Sequence, residues 1–136
     1  MLESSRLLFT GDHLMSGSTV VILPPDGSMR QYLDSLRRLL ELPLADIAPG
    51  HGSLIPDAHG DIRRVMKHRQ MREDKLVRAL SNRRNATLED LLPEVYDDVP
   101  RFMHAAARYS LLAHVLKLVE EGRGAAGEGE VYRWIG

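Results

Sequence analysis

The chain has 136 residues, 43% of them hydrophobic, enough for one or two small globular units and too few for a single core of full enzyme size. It contains no cysteine, which excludes disulfides and thiolate metal sites and leaves any metal chemistry to histidine and carboxylates. A formal charge of -1 exerts no global pull toward nucleic acid, and no apolar run of spanning length or secretory leader is present, so a cytoplasmic, non-membrane protein is expected.

Arg6 to Phe9 reads as a buried strand that ends in the turn Thr10-Gly11-Asp12-His13. Val20 to Leu23 is a short β-branched run, read as another extended segment, and Pro24-Pro25-Asp26-Gly27 closes it as a turn. From Ser28, an N-cap residue, Met29, Leu33, Leu36, Leu39 and Leu40 recur at helical spacing until Pro43 stops the helix. Leu44 to Ala48 then forms a short strand leading into Pro49-Gly50-His51-Gly52. This strand, helix, strand order is that of an α/β layer. It sets Asp12 and His51 at the ends of two strands, where layered folds keep their sites. Asp12 alone could be a turn residue that caps nearby amides. His51 lies between two glycines that free the backbone and leave the imidazole uncrowded, which suits a ligand.

Asp61 to Leu80 is helical by composition, with an almost wholly polar middle from Lys67 to Lys75. That pattern reads first as a solvated helix joining two units. The alternative places His68, Arg69 or Arg72 beside an anionic substrate, because residues 61–84 carry nine Lys or Arg against three Asp or Glu.

A second unit starts near Asn82. Thr87 with Asp90 forms a capping box ahead of the buried stripe Leu88, Leu91, Leu92 and Val95. A longer helix follows from about Met103 to Glu121, with Ala107, Leu111, Val115 and Leu118 on one face and Gly122 at its end. Gly129 to Gly136 is the returning strand of a hairpin, anchored by Tyr132 and Trp134. Helix, helix and hairpin outline a winged helix. From Arg83 onward there are seven basic residues against nine acidic ones, the wrong balance for neutralising phosphates, so a packing, dimerising or substrate-shaping role is expected over DNA reading.

The stretches "LLFTGDHLMSGSTVVILPPDGSMRQYLDSLRRLLEL", "IAPGHGSLI", "HGDIRRVMKHRQMREDKLVRAL", "TLEDLLPEVYDDVP" and "AAARYSLLAHVLKLVEEGR" together resemble the second half of metallo-β-lactamase-fold hydrolases, in the branch of β-lactamase-like protein 2. The resemblance implies a partial αββα sandwich over residues 1–82 and a winged-helix-like α+β domain over 83–136. It further implies that Asp12 bridges two divalent metal ions, with zinc the default and manganese or iron alternatives, and that His51 is a terminal ligand of one. The parent reaction would be hydrolysis of an ester, thioester or phosphodiester, RNA included, by hydroxide held between the metals. The family's other ligands, from a His-x-His-x-Asp-His motif and one further histidine, have no counterpart here. His13, His59, His68, His104 and His114 form no such pair.

The expectation is therefore a C-terminal fragment of a dinuclear hydrolase, inactive alone and holding no metal tightly. Unpaired strand edges imply a homo-oligomer or a missing N-terminal half. The alternatives are a non-catalytic module that binds a partner or nucleic acid through the winged-helix-like domain, and an enzyme built by dimerisation. Two copies of Asp12 and His51 would still supply only four ligands.

Overall fold

All 136 residues are described in the computed structural model, in which two compact units form: Met1–Val20 with Tyr32–His68, and Val21–Gln31 with Arg69–Gly136.

In the first unit the Leu-Leu-Phe run forms β1 (Leu7–Gly11), two residues longer than its apolar signal, and Asp46–Pro49 forms β2. The two strands run parallel, as a helical crossover requires. That helix is α1 (Met29–Leu40), whose start is held by Ser28 Oγ accepting from Gln31 N–H at 3.3 Å. Met29, Leu33 and Leu36 are buried, whereas Arg37 and Arg38 are exposed, which is the two-sided pattern of a surface helix. A two-residue strand that the sequence pattern does not announce, β3 (Ile55–Pro56), pairs antiparallel with β2, so the sheet order is β1-β2-β3. The side chains of Leu14, Leu36, Ile47 and Ile62 are almost completely buried.

The expected extended run at Val20–Leu23 joins no sheet. Its backbone is used otherwise: Ile22 N–H donates to Ser110 Oγ at 3.4 Å, and Gly27 N–H returns to the Leu23 carbonyl at 2.7 Å. β-branched side chains favour extended backbone, but without a neighbouring strand there is no ladder to complete.

Helix α2 (Ala58–Ser81) starts earlier than its composition signals, because Asp57, at φ 60°, accepts the Gly60 N–H on its Oδ1 at 3.1 Å. Its polar middle is two-sided: Lys67, Gln70 and Asp74 are exposed, but the opposite face is not solvated. Arg69, Arg72 and Glu73 are each 3% exposed, which corrects the reading of this segment as a solvated linker. Burial of such charge is tolerated only with partners. Arg72 Nη1 donates to the Val95 carbonyl at 2.8 Å and to Asp98, and its guanidinium lies 4.5 Å from the Tyr96 ring centroid. Glu73 accepts from Lys117 Nζ at 2.7 Å and from Arg123 Nη1 at 2.9 Å.

The rest of the second unit follows the winged-helix outline. Strand β4 (Ala86–Thr87) leads into α3 (Leu88–Val95), and the capping box is complete, with Thr87 Oγ1 and the Asp90 carboxylate each accepting the other's backbone amide. A single 3-10 turn (Arg101–Met103) precedes α4 (His104–Glu120). Gly122, at φ 70°, then turns the chain, and Arg123 N–H donates to the Leu118 carbonyl. Strands β5 (Gly124–Ala126) and β6 (Val131–Trp134) form the hairpin, with β6 central in the order β4-β6-β5. Leu76, Leu80, Leu88, Leu91, Val95, Leu111, Val115, Leu118 and Tyr132 form one core.

Candidate metal centre at the ends of two strands

The register between β1 and β2 carries the site. Leu7, Leu8 and Phe9 sit opposite Asp46, Ile47 and Ala48, and then the register slips so that Gly11 faces Pro49. Thr10 is the extra residue of this irregularity, which re-aims the chain from Gly11 onward. Beyond the slip, Gly50 N–H donates to the Gly11 carbonyl at 2.7 Å, and the two turns run side by side. Gly50 is needed there: a Cβ on it would stand 3.1 Å from the Gly11 carbonyl carbon and 3.2 Å from Asp12 Oδ1. Gly52, at φ 88°, is needed for a different reason, because a side chain would be strained by the backbone and would strike Ser16 Cβ at 2.7 Å.

These turns bring together the two residues singled out from the sequence. His51 Nδ1 lies 2.7 Å from Asp12 Oδ1. A carboxylate can only accept, so Nδ1 is the donor in this pair, and in the neutral imidazole the lone pair then lies on Nε2. The side chains are 74% and 64% accessible, so both are open to a ligand. One anionic oxygen donor and one neutral nitrogen donor on a rigid pair of strand ends fit part of the shell of a zinc-like ion. They do not fill it, since no group of three or more histidine, aspartate or glutamate side chains converges anywhere in the chain.

The other histidines have different occupations. His13 Nε2 lies 2.7 Å from Ser35 Oγ, whose own proton goes to the Tyr32 carbonyl, so His13 is the donor in that pair. Its ring packs edge-on against Tyr32, and burial holds its pKa below the usual value. His59 Nε2 meets the Leu42 carbonyl at 2.8 Å. His104 Nε2 meets the carbonyls of Tyr96 and Val99, and His114 is fully buried in α4. On α2, His68 is half-buried in the first unit, whereas Arg69 and Arg72 are buried in the second. Sequence reading did not find the Glu73, Lys117 and Arg123 cluster, whose one signal is charge at helix positions that a core must cover.

Comparison with known proteins bears on the fold. Residues 2–51 match the family described as the metallo-beta-lactamase superfamily, and residues 87–134 match the beta-lactamase associated winged helix domain. A beta-lactamase-like protein 2 homolog from Caenorhabditis elegans is 28% identical over 135 residues, covering 99% of this chain and 44% of that protein. The Drosophila melanogaster homolog is 31% identical over 118 residues, covering 85% and 39%. Among solved structures, a metallo-beta-lactamase family protein from Thermus thermophilus superposes with a TM-score of 0.81 at 26% identity, over 98% of this chain and 44% of the other. The chain thus spans less than half the length of these relatives. No helix is long and apolar enough to cross a membrane.

Proposed function

Given that the chain matches the metallo-beta-lactamase superfamily fold and carries the associated winged-helix domain, with relatives named beta-lactamase-like protein 2, we propose that Asp12 and His51 are two ligands of a divalent-metal hydrolase centre. The remaining ligands come from polypeptide other than these 136 residues, and the chain alone is inactive. The observation that carries this reading is the 2.7 Å pairing of two exposed donors at adjacent strand ends.

Divalent ions, zinc by default, would supply Lewis-acid polarisation of the scissile group and acidify water. The chain's own residues provide the framework. The Asp12 carboxylate offers two oxygens and a negative charge that offsets neighbouring cations. It also orients His51, fixing the tautomer that turns Nε2 outward as a donor. Gly50 and Gly52 hold the two turns at the separation this requires.

The substrate class is an ester, thioester or phosphodiester. An anionic substrate, RNA included, is supported by the basic excess over residues 61–84, in which Arg63, Lys67 and Arg78 are exposed. Arg72 is already paired with Asp98, so attraction would come from these exposed residues rather than from it.

The test is to co-express the chain with the first part of the Thermus thermophilus relative, purify the complex, and assay zinc content and hydrolysis of p-nitrophenyl acetate, an acyl thioester and bis(p-nitrophenyl) phosphate. The reading expects zinc and hydrolysis of at least one substrate in the complex and neither in the chain alone. Asp12→Ala and His51→Ala should each reduce the rate by at least about 100-fold. Unchanged zinc and rate in both variants would rule out the assignment.

A further inference from the structure

Both peptide planes that flank Asp12 are held by hydrogen bonds. The Gly11 carbonyl accepts from Gly50 N–H at 2.7 Å, and His13 N–H donates back to the Thr10 carbonyl at 3.0 Å. A peptide is planar, so fixing the planes on either side of a residue leaves its Cα–Cβ bond little choice of direction. The Gly50 bond ties the Asp12 turn to the turn after β2. A second set of contacts ties it to α1, and all of them pass through His13.

Tyr32 Oη donates to the His13 carbonyl at 3.0 Å, and the His13 ring packs edge-on against the Tyr32 ring with centroids 4.9 Å apart. His13 Nε2 donates to Ser35 Oγ at 2.7 Å, because the Ser35 proton goes to the Tyr32 carbonyl at 2.6 Å. Tyr32 and Ser35 are three residues apart and so lie on neighbouring positions of one helix face. Tyr32 is buried, and Met29, Leu33 and Leu36 anchor α1 in the core. The residue after Asp12 is therefore gripped at its main chain, its ring edge and its ring nitrogen by a well-supported helix.

The same contacts exclude two other roles for this cluster. Ser35 is not poised as a nucleophile: a serine activated by histidine gives its proton to the ring, and here the ring nitrogen is the donor. His13 does not offer Nε2 to a cation, because a proton occupies that position.

We propose that His13, Tyr32 and Ser35 form a positioning group for the Asp12 carboxylate. Their effect is to hold Oδ1 where it accepts the His51 Nδ1 proton, which fixes the nitrogen that His51 turns outward. This rests on the reading of Asp12 and His51 as metal ligands, and it extends that reading to side chains that touch neither metal nor substrate.

The test starts with the isolated, ¹⁵N-labelled chain without metal at about pH 9, above the ordinary histidine pKa near 6.5, where ¹⁵N shifts give the ratio of Nδ1–H to Nε2–H tautomer at His51. Tyr32→Phe combined with Ser35→Ala should lower that ratio at least about threefold, in line with the loss of two modest hydrogen bonds. Ser35→Ala alone, at a half-buried position, should shift it in the same direction. At neutral pH, zinc binding followed at the His51 resonance should weaken at least about threefold in the double variant. Ile62→Val, a change in the core of the same unit, controls for stability alone and should lower the thermal midpoint while leaving the tautomer ratio at its wild-type value. An unchanged ratio in the double variant would overturn the positioning role. So would an equal shift in Ile62→Val, or a shifted ratio with undiminished zinc binding. Asp12→Ala reports separately on the underlying reading: zinc that binds His51 equally in that variant and in the wild type would defeat the ligand assignment, whatever the tautomer ratios show.

Discussion

A methyl group added at Gly50 would press on the Gly11 carbonyl carbon and on Asp12 Oδ1 at once, so Gly50→Ala should part Asp12 from His51 without touching either side chain. The expected result is a small loss of stability, about 1 kcal/mol, with weaker zinc binding in any complex that binds it. Gly52→Ala should cost more, because it adds left-handed backbone strain to the clash with Ser16. Thermal unfolding of both variants checks the order. Glu73 makes a different prediction. Its carboxylate is buried and bonded to both Lys117 and Arg123, so Glu73→Ala leaves the buried Lys117 and the half-buried Arg123 with Glu121 as their remaining carboxylate and should destabilise the second unit by about 2 kcal/mol in urea titration. Asp98 is the acid-sensitive partner. The hydrogen bond from Arg72 holds its carboxyl below the usual aspartate value. A depressed folded-state pKa means that the stabilisation is complete above the unfolded value near pH 4 and is lost as pH falls through the lower folded value. Asp98→Asn should therefore lower stability at pH 7 and flatten the acid-side decline seen in urea midpoints between pH 5 and pH 2.

At the scale of elements, local chemistry decides some boundaries and long-range packing decides others. The capping box of α3 is a local device, legible from Thr87 and Asp90 and formed as read. Thr87→Ala should cost about 1 kcal/mol, and hydrogen exchange should report it first at the amides of the first turn of α3. The paired turns of Asp12 and His51 were legible for the same reason, since glycines permit a sharp turn and a strand end fixes where it falls within a few residues. The polar middle of α2 was not legible. Arg69, Arg72 and Glu73 look solvated when judged by residue type, and the burial of Arg72 and Glu73 depends on partners 23 to 50 positions away in the chain. Val20–Leu23 failed in the opposite sense: its β-branched composition matches a strand, but no neighbour supplies the ladder. Strand β3, at two residues, is too short to leave a periodic signal.

For the whole molecule, the two strand-end donors ask for a partner. Asp12 and His51 require further ligands to make a metal centre, and the relatives that the chain matches are more than twice as long. On the proposed reading the hydrolase centre belongs to an assembly larger than this chain, to which the 136 residues would contribute a preformed part of the ligand shell. The Thr-Gly-Asp and Gly-His-Gly turns are tied together by the Gly50 to Gly11 hydrogen bond, and the absence of side chains at Gly50 and Gly52 permits their close approach. Preorganisation of this kind lowers the cost of assembling a site.

The sharpest test of the ligand assignment is a zinc titration of the isolated, ¹⁵N-labelled chain, following the six imidazoles in long-range ¹H–¹⁵N spectra. Weak binding is sufficient for this measurement, so two ligands alone can be seen. The His51 Nε2 resonance should move first and furthest, and Asp12→Ala should reduce its response while leaving His13, His59, His68, His104 and His114 unmoved. Zinc that shifts another histidine ahead of His51, or that shifts His51 equally with and without Asp12, would refute the pairing of these two residues as ligands.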